Sequence, residues 1–169
     1  CYAAASALYA GRLLPEIPPE RITVMGDSAG GNLAAAVCLL GRDRGEFFPK
    51  KQVLIYPAVN NCYTEESPYP SVRENGQGYL LTSVKMEDYL KLYERNSEDR
   101  QNPYFAPMLA KDFTKLPDTL VLTAEFDPLR DEGEAFGRKL REAGSRVEVH
   151  RIKGALHGYF ALGIAHLHV

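Results

Sequence analysis

The sequence predicts an α/β domain with a mostly parallel sheet of about four strands. Two observations carry that prediction. Apolar, β-branched runs recur at 21–25, 52–56 and 119–124, with an alternating run at 146–152, and helix-like segments separate them without any internal repeat. Strands joined through helices imply right-handed crossovers and a parallel sheet. The first helix is expected from Tyr2 to Leu14, halted by Pro15 and the Pro18-Pro19 pair. Arg21-Ile22-Thr23-Val24-Met25 fits a strand buried on both faces. A glycine-rich turn over 26–31 leads into an apolar helix, Asn32 to Leu40, closed by Gly41. Gln52 to Tyr56 is the second strand, ended by Pro57.

Residues 58–82, rich in Pro, Gly, Asn and Tyr, read as loop, and 83–95 as an amphipathic helix with Met86, Tyr89, Leu90 and Tyr93 at helical spacing. A further loop, 102–107, precedes the third strand, Thr119 to Ala124. Asp131 to Ala143 is a helix with Gly144 as its stop signal, and a fourth strand runs from Arg146 to Ile152. From about His157 a helix starts and soon ends. The stretch 58–110 is too long for an ordinary connection and is expected to be a cap-like insertion, about 60–110, lying over one end of the sheet. The 169 residues are expected to form a single domain.

Composition excludes several classes. Hydrophobic residues make up 45% and charged residues 25%, which argues against disorder or low complexity. No apolar run approaches the length of a membrane helix. The 20 basic and 22 acidic residues are mixed along the chain without a basic stripe, which argues against a nucleic-acid partner. Cys1, Cys38 and Cys62 form no metal-binding spacing, so reduced thiols and a cytoplasmic protein are expected. The chain opens at Cys1-Tyr2-Ala3 in mid-helix, with no initiator Met and no signal-peptide pattern, so a piece of a longer protein or a processed one is expected.

Gly26-Asp27-Ser28-Ala29-Gly30 has the form G-x-S-x-G between a strand and a helix, the setting of a nucleophile elbow. A sharp turn there strains the serine backbone and lifts its hydroxyl above the carboxyl edge of the sheet. Gly26 and Gly30 are expected to remove Cβ atoms that would clash, and the Ala29 amide to face a developing oxyanion. A plain glycine-rich turn cradling a phosphate is the competing reading, although neither GxxxxGK[ST] nor GxGxxG is present.

Serine needs a base. Among four histidines, His150 lies within a strand, and His166 and His168 lie at the C-terminus, where solvation is expected. His157 falls just past the fourth strand, at the sheet edge where α/β sites form. The acid that orients it is read as Asp127, directly after the third strand. Asp131 is the rival, with helix capping as its expected job, and Glu125 could face the core or form an ion pair.

With the chain order Ser28, Asp127, His157, the segments Gly26–Ala34, Asp127–Gly133 and His157–Phe160 resemble the hormone-sensitive-lipase-like family of α/β-hydrolase esterases, as do Asn102-Pro103-Tyr104 and Pro107. The resemblance implies a capped α/β-hydrolase fold, hydrolysis of carboxylic esters with short or medium acyl chains, a small-molecule ester substrate and no cofactor. The His-Gly-Gly-Gly oxyanion motif that this family carries upstream of the nucleophile does not occur here. The chain therefore resembles the family's C-terminal half, and weak or no activity is expected of it alone. The outer edge of the first strand, with Ile22, Val24 and Met25, is then expected to seek the missing half or a second copy. Tyr79, Leu80, Leu81, Met86 and Tyr89 could line an apolar substrate pocket or simply be core of the insertion. An amide or formamide hydrolase, a peptidase, a binding module without turnover and an inert fragment remain as other readings.

Overall fold

A computed structural model describes residues 1–162. The C-terminal His166 and His168 lie outside the described residues. In chain order the elements are α1 (Tyr2–Tyr9), β1 (Thr23–Asp27), α2 (Ala29–Arg44), β2 (Lys51–Ile55), α3 (Pro70–Glu74), α4 (Ser83–Tyr93), β3 (Asp118–Phe126), α5 (Arg130–Glu142) and β4 (Val147–Leu156). Among the described residues the strands form one sheet in the order β1-β2-β3-β4, all parallel. Helix α2 packs on β1 and β2, and α5 packs on β3 and β4. Their shared core includes Leu39, Leu54, Phe113, Phe136 and Leu140.

Several boundaries differ from the sequence expectation for local reasons. Helix α1 ends at Tyr9, short of Pro15, because Gly11 adopts φ +66° and turns the chain, with the Arg12 amide bonding back to the Ala7 carbonyl at 2.9 Å. Helix α2 starts at Ala29 and runs through Gly41 to Arg44, and Gly45 with φ +65° closes it. Gly41 stays helical because it packs on the Phe47 ring, and a Cβ there would fall 2.6 Å from a ring carbon. Strand β1 is not buried on both faces. Val24 packs on the core, whereas Met25, one residue on, alternates to the opposite face and is 60% exposed.

The stretch 58–110 holds α3, α4 and short 3-10 turns, where only α4 was expected as helix. Tyr63, Val72, Leu81, Met86, Leu90, Phe105 and Leu129 form a second core. Leu129 belongs to the loop after β3, so this region is packed onto the carboxyl end of the sheet rather than tethered at its ends alone.

Candidate functional site

Ser28 occupies the junction between β1 and α2 with φ 53° and ψ −118°. A positive φ at a residue with a Cβ is uncommon and costs energy, so the surroundings must hold it. The Ser28 amide donates to the Ile55 carbonyl at 2.9 Å, and the Ser28 carbonyl accepts from Asn32 at 3.1 Å. Close packing requires Gly26, where a Cβ would lie 2.1 Å from the Gly30 carbonyl oxygen. The expectation for Gly30 is corrected: a Cβ there would meet nothing nearer than Asp27 Oδ1 at 3.8 Å. The second crowded position is Gly31, where a Cβ would sit 2.8 Å from Pro57 Cβ.

His157 follows β4 directly. Its Nδ1 lies 2.8 Å from Asp127 Oδ2, and its Nε2 lies 2.9 Å from Ser28 Oγ. A carboxylate only accepts, so Nδ1 carries the hydrogen that it donates to Asp127. Nε2 then presents its lone pair to the Ser28 hydroxyl. Asp127 has no solvent exposure, and its Oδ1 accepts from the Leu129 amide at 2.9 Å. The hydroxyl, imidazole and carboxylate thus form one continuous hydrogen-bonded chain drawn from the ends of three different strands.

The loop carrying Asp127 is braced by α3. Buried Asn75 donates to the Asp127 carbonyl at 3.2 Å and to the Glu125 carbonyl at 3.3 Å. The Ser71 hydroxyl donates to the Pro128 carbonyl at 2.8 Å. Asp131 does not cap α5, whose N-cap position is Leu129. Its carboxylate instead accepts from the Ser71 amide at 2.8 Å and from Arg130 Nε at 2.8 Å. Glu125 accepts the Gly154 amide at 2.7 Å, joining β3 to β4. His150 is exposed and lies 3.3 Å from Glu148, away from the triad.

Tyr56 was not expected at the site. It sits between β2 and Pro57 with φ 34°, is 1% exposed, and tilts its ring against His157 with centroids 4.7 Å apart. Its hydroxyl donates to Asp27 Oδ2 at 3.4 Å. Burial, foremost, and the neighbouring Asp27 push its pKa up to about 12, so it remains a neutral phenol beside the imidazole. The only advance signal was an aromatic residue closing a strand before proline, which is common and says nothing about proximity to His157.

A cavity of about 610 Å³ opens above Ser28, Ala29 and His157. Leu80, Leu81, Met86 and Tyr89 line it. Tyr79 does not: it stacks on Phe126 with centroids 5.3 Å apart. Leu90, Tyr93, Phe105 and Leu33 add to the apolar wall, with Tyr93 stacked on Phe105 at 4.8 Å. The Ala29 amide belongs to the first turn of α2 at this cavity, where helix N–H groups lack intrahelical partners. Among the described residues, no group of three or more His, Cys, Asp or Glu could hold a metal ion.

Glu132, in the first turn of α5, is a fully buried carboxyl outside the triad. Burial pushes its pKa up to about 8, against the opposing pull of the Val59 amide, the Tyr63 hydroxyl and the Asn60 amide. The unfolded chain releases this proton near 4.5, whereas the folded chain holds it until about 8. The folded state binds more protons in that window, so the stabilisation is complete below 4.5 and is lost as pH rises through 8. Thermal melts between pH 5 and pH 8 should therefore show the wild-type Tm falling more steeply with pH than that of Glu132→Gln. Parallel slopes would remove the buried acid as the cause.

A family model described as alpha/beta hydrolase fold matches residues 1–161. A carboxylic ester hydrolase, LipN, of Mycobacterium tuberculosis is 38% identical over 149 residues, covering 85% of this chain and 39% of that protein. An arylesterase of Saccharolobus solfataricus is 38% identical over 144 residues, covering 85% of this chain and 45% of that protein. Among solved structures, a hyperthermophilic esterase from Pyrobaculum calidifontis superposes with a TM-score of 0.85 at 42% identity, covering 94% of this chain and 51% of that one. Carboxyl esterase 2 from Tuber melanosporum gives a TM-score of 0.89 at 34% identity, covering 96% and 54%. The chain spans about half the length of the solved relatives and somewhat less of the curated ones.

Proposed function

The chain belongs to the alpha/beta hydrolase fold family, in its hormone-sensitive-lipase-like branch, and from that premise we propose that the protein hydrolyses carboxylic esters through an acyl-enzyme on Ser28. The observation that carries the reading is the linked chain of Ser28 Oγ, His157 and Asp127, at 2.9 and 2.8 Å. Ser28 Oγ attacks the ester carbonyl carbon as its proton passes to His157 Nε2. The buried Asp127 carboxylate stabilises the imidazolium that forms and holds the ring in its tautomer. The tetrahedral intermediate places its oxyanion toward the Ala29 amide. Collapse breaks the bond to the alkoxy oxygen, which leaves as the alcohol with the proton from Nε2. A water molecule then gives its proton to Nε2 and attacks the acyl carbon. Ser28 regains its proton as the carboxylic acid departs.

The substrate is a small ester with a short or medium acyl chain, which suits a cavity of about 610 Å³ walled by Leu81, Met86, Leu90 and Phe105. We assign the region 60–110 a cap role, on the grounds that α4 forms this wall. Each oxyanion donor is worth about 2.7–4 kcal/mol of transition-state stabilisation. We place the donors beyond Ala29 in the part of the protein that the longer relatives possess, so that the chain alone turns over slowly. The edge of β1, paired only with β2 among the described residues, is the surface against which that part or a second copy would add a strand. The three free thiols favour the cytoplasm as its location. No helix among the described residues is long and apolar enough to cross a membrane.

The test is a substrate panel of p-nitrophenyl acetate, p-nitrophenyl butyrate and an N-formyl arylamine. Turnover of both esters above background, with the formamide at least about 100-fold slower, is expected. A faster formamide would replace the ester reading by an amidase one, and binding of the esters without release of nitrophenol would make the protein a binding module.

A further inference from the structure

Residues 58–60 follow Pro57 and belong to no helix or strand, yet they run directly beside the nucleophile. Such a segment must satisfy its backbone polar groups by other means. The Ala58 amide donates to the Ser28 carbonyl at 3.3 Å, and the Ala58 carbonyl accepts from Asn32 Nδ2 at 2.7 Å. The Val59 carbonyl accepts from the Met108 amide at 2.9 Å. Two successive amides remain, those of Val59 and Asn60. Both donate to one oxygen, Glu132 Oε1, at 2.7 and 3.1 Å, and the Tyr63 hydroxyl donates to the same atom at 2.9 Å.

We propose that Glu132 is a positioning residue whose buried carboxyl serves as the missing strand partner of residues 58–60 and thereby fixes the wall of the substrate cavity formed by Ala58 and Asn60. Both residues line the cavity that also contains Ser28 and His157. Val59 has no exposure and Tyr63 is 1% exposed, so water cannot replace the carboxyl as acceptor. The kinetic consequence rests on the esterase reading, whereas the structural one does not. The triad has holders outside residues 58–60: the imidazole has Asp127 and Tyr56, Asp127 has Leu129, and Ser28 has the Ile55 carbonyl at 2.9 Å and the Asn32 amide at 3.1 Å, both shorter than its 3.3 Å bond from the Ala58 amide. Loss of the Glu132 acceptor therefore displaces the wall against which substrate binds and leaves the reacting groups in place. It acts on KM rather than on kcat.

The chemistry also specifies what can substitute. All three donors converge on Oε1, and the other oxygen, Oε2, has no hydrogen-bond partner among the described residues. An amide oxygen can accept the same three bonds, so glutamine should serve and an apolar side chain should not. The test compares Glu132→Gln, Glu132→Leu and Glu132→Ala in the full chain. Leucine keeps roughly the volume of the carboxyl side chain and offers no acceptor, which guards against a result that reflects only a collapsed cavity. Hydrogen exchange at the Val59 and Asn60 amides is read by NMR, and KM and kcat are read with p-nitrophenyl butyrate.

Glutamine is expected to keep both amides protected and KM within about twofold. Leucine and alanine are expected to speed exchange at these two amides by about tenfold or more and to raise KM by about tenfold, with kcat within about threefold. A leucine variant with wild-type exchange and KM overturns the proposal. So does a glutamine variant that behaves like leucine. If the wild-type chain shows no turnover above background, the kinetic readout is lost without deciding the esterase reading, which the phosphonate labelling of Ser28 tests instead, and the exchange measurement alone decides for or against Glu132.

Discussion

Ser28→Ala is expected to abolish covalent labelling by a p-nitrophenyl phosphonate and to lower ester hydrolysis by about 10³-fold or more, with the melting temperature unchanged. The phosphonate reports on the nucleophile directly: Ser28 Oγ bonds to phosphorus, p-nitrophenolate leaves, and one phosphonyl group remains on the protein. It needs only the attack step, so it remains informative for a chain whose turnover is slow. The rate effect is large because alanine removes the atom that forms the acyl bond, while the His157–Asp127 pair, joined at 2.8 Å, has nothing else at 2.9 Å to activate. The fold is expected to tolerate the change. Alanine keeps the Cβ and therefore inherits the same strain at φ 53°, and the hydroxyl bonds only to His157 Nε2 among the described side chains. Mass spectrometry of the labelled chains and thermal melts check both halves. Labelling of the alanine variant, or equal hydrolysis by the two chains, would mean that the nucleophile lies elsewhere.

The meeting of Ser28, Asp127 and His157 was legible because each of them sits at a local landmark. Ser28 stands between a strand and a helix with glycines around it, and Asp127 and His157 each follow directly on an apolar strand. In a parallel sheet such positions share one edge, so proximity follows from topology without any knowledge of packing. What was not legible depends on which distant residue lies across a gap. Gly31, not Gly30, is the crowded neighbour of Pro57, and nothing in the elbow segment announces where Pro57 runs. Tyr79 and Tyr93 are equally plausible as cavity aromatics by composition. Tyr93 lies seven residues after Met86 and three after Leu90, on the helix face that looks into the cavity, whereas Tyr79 precedes the helix and turns to Phe126. Glu132 looks like an ordinary acidic residue near a helix start, and only the return of residues 58–63 over α5 makes it a buried acceptor. Asp131 was read as a cap for the same reason, and its actual partner, Ser71, comes from a helix that the proline-rich loop gave no periodic signal for.

Gly26→Ala and Gly30→Ala are expected to have opposite effects on stability, although both alter the same five-residue motif. Neither glycine has a positive φ, so the question is one of space alone. A Cβ on Gly26 would fall 2.1 Å from the Gly30 carbonyl oxygen, 2.3 Å from its carbonyl carbon and 2.9 Å from the Gly31 amide nitrogen. These are backbone atoms of the first turn of α2, which cannot swing aside as a side chain could. Relief requires moving β1 from α2, and that opens the turn that lifts Ser28 toward His157. The cost should exceed about 4 kcal/mol, in the range reserved for disruption of the backbone or core. At Gly30 the added methyl meets only Asp27 Oδ1 at 3.8 Å, an ordinary contact. Alanine there removes conformational freedom from the unfolded chain within a helix, which favours folding by up to about 1 kcal/mol. Urea denaturation with a shared m-value checks the pair: Gly30→Ala should move the midpoint up or leave it, and Gly26→Ala should leave little folded protein. Equal loss in both would show that the strand-to-helix turn senses any side chain at either glycine, and that the tight approach of Gly26 to Gly30 is not what sets the geometry of the nucleophile.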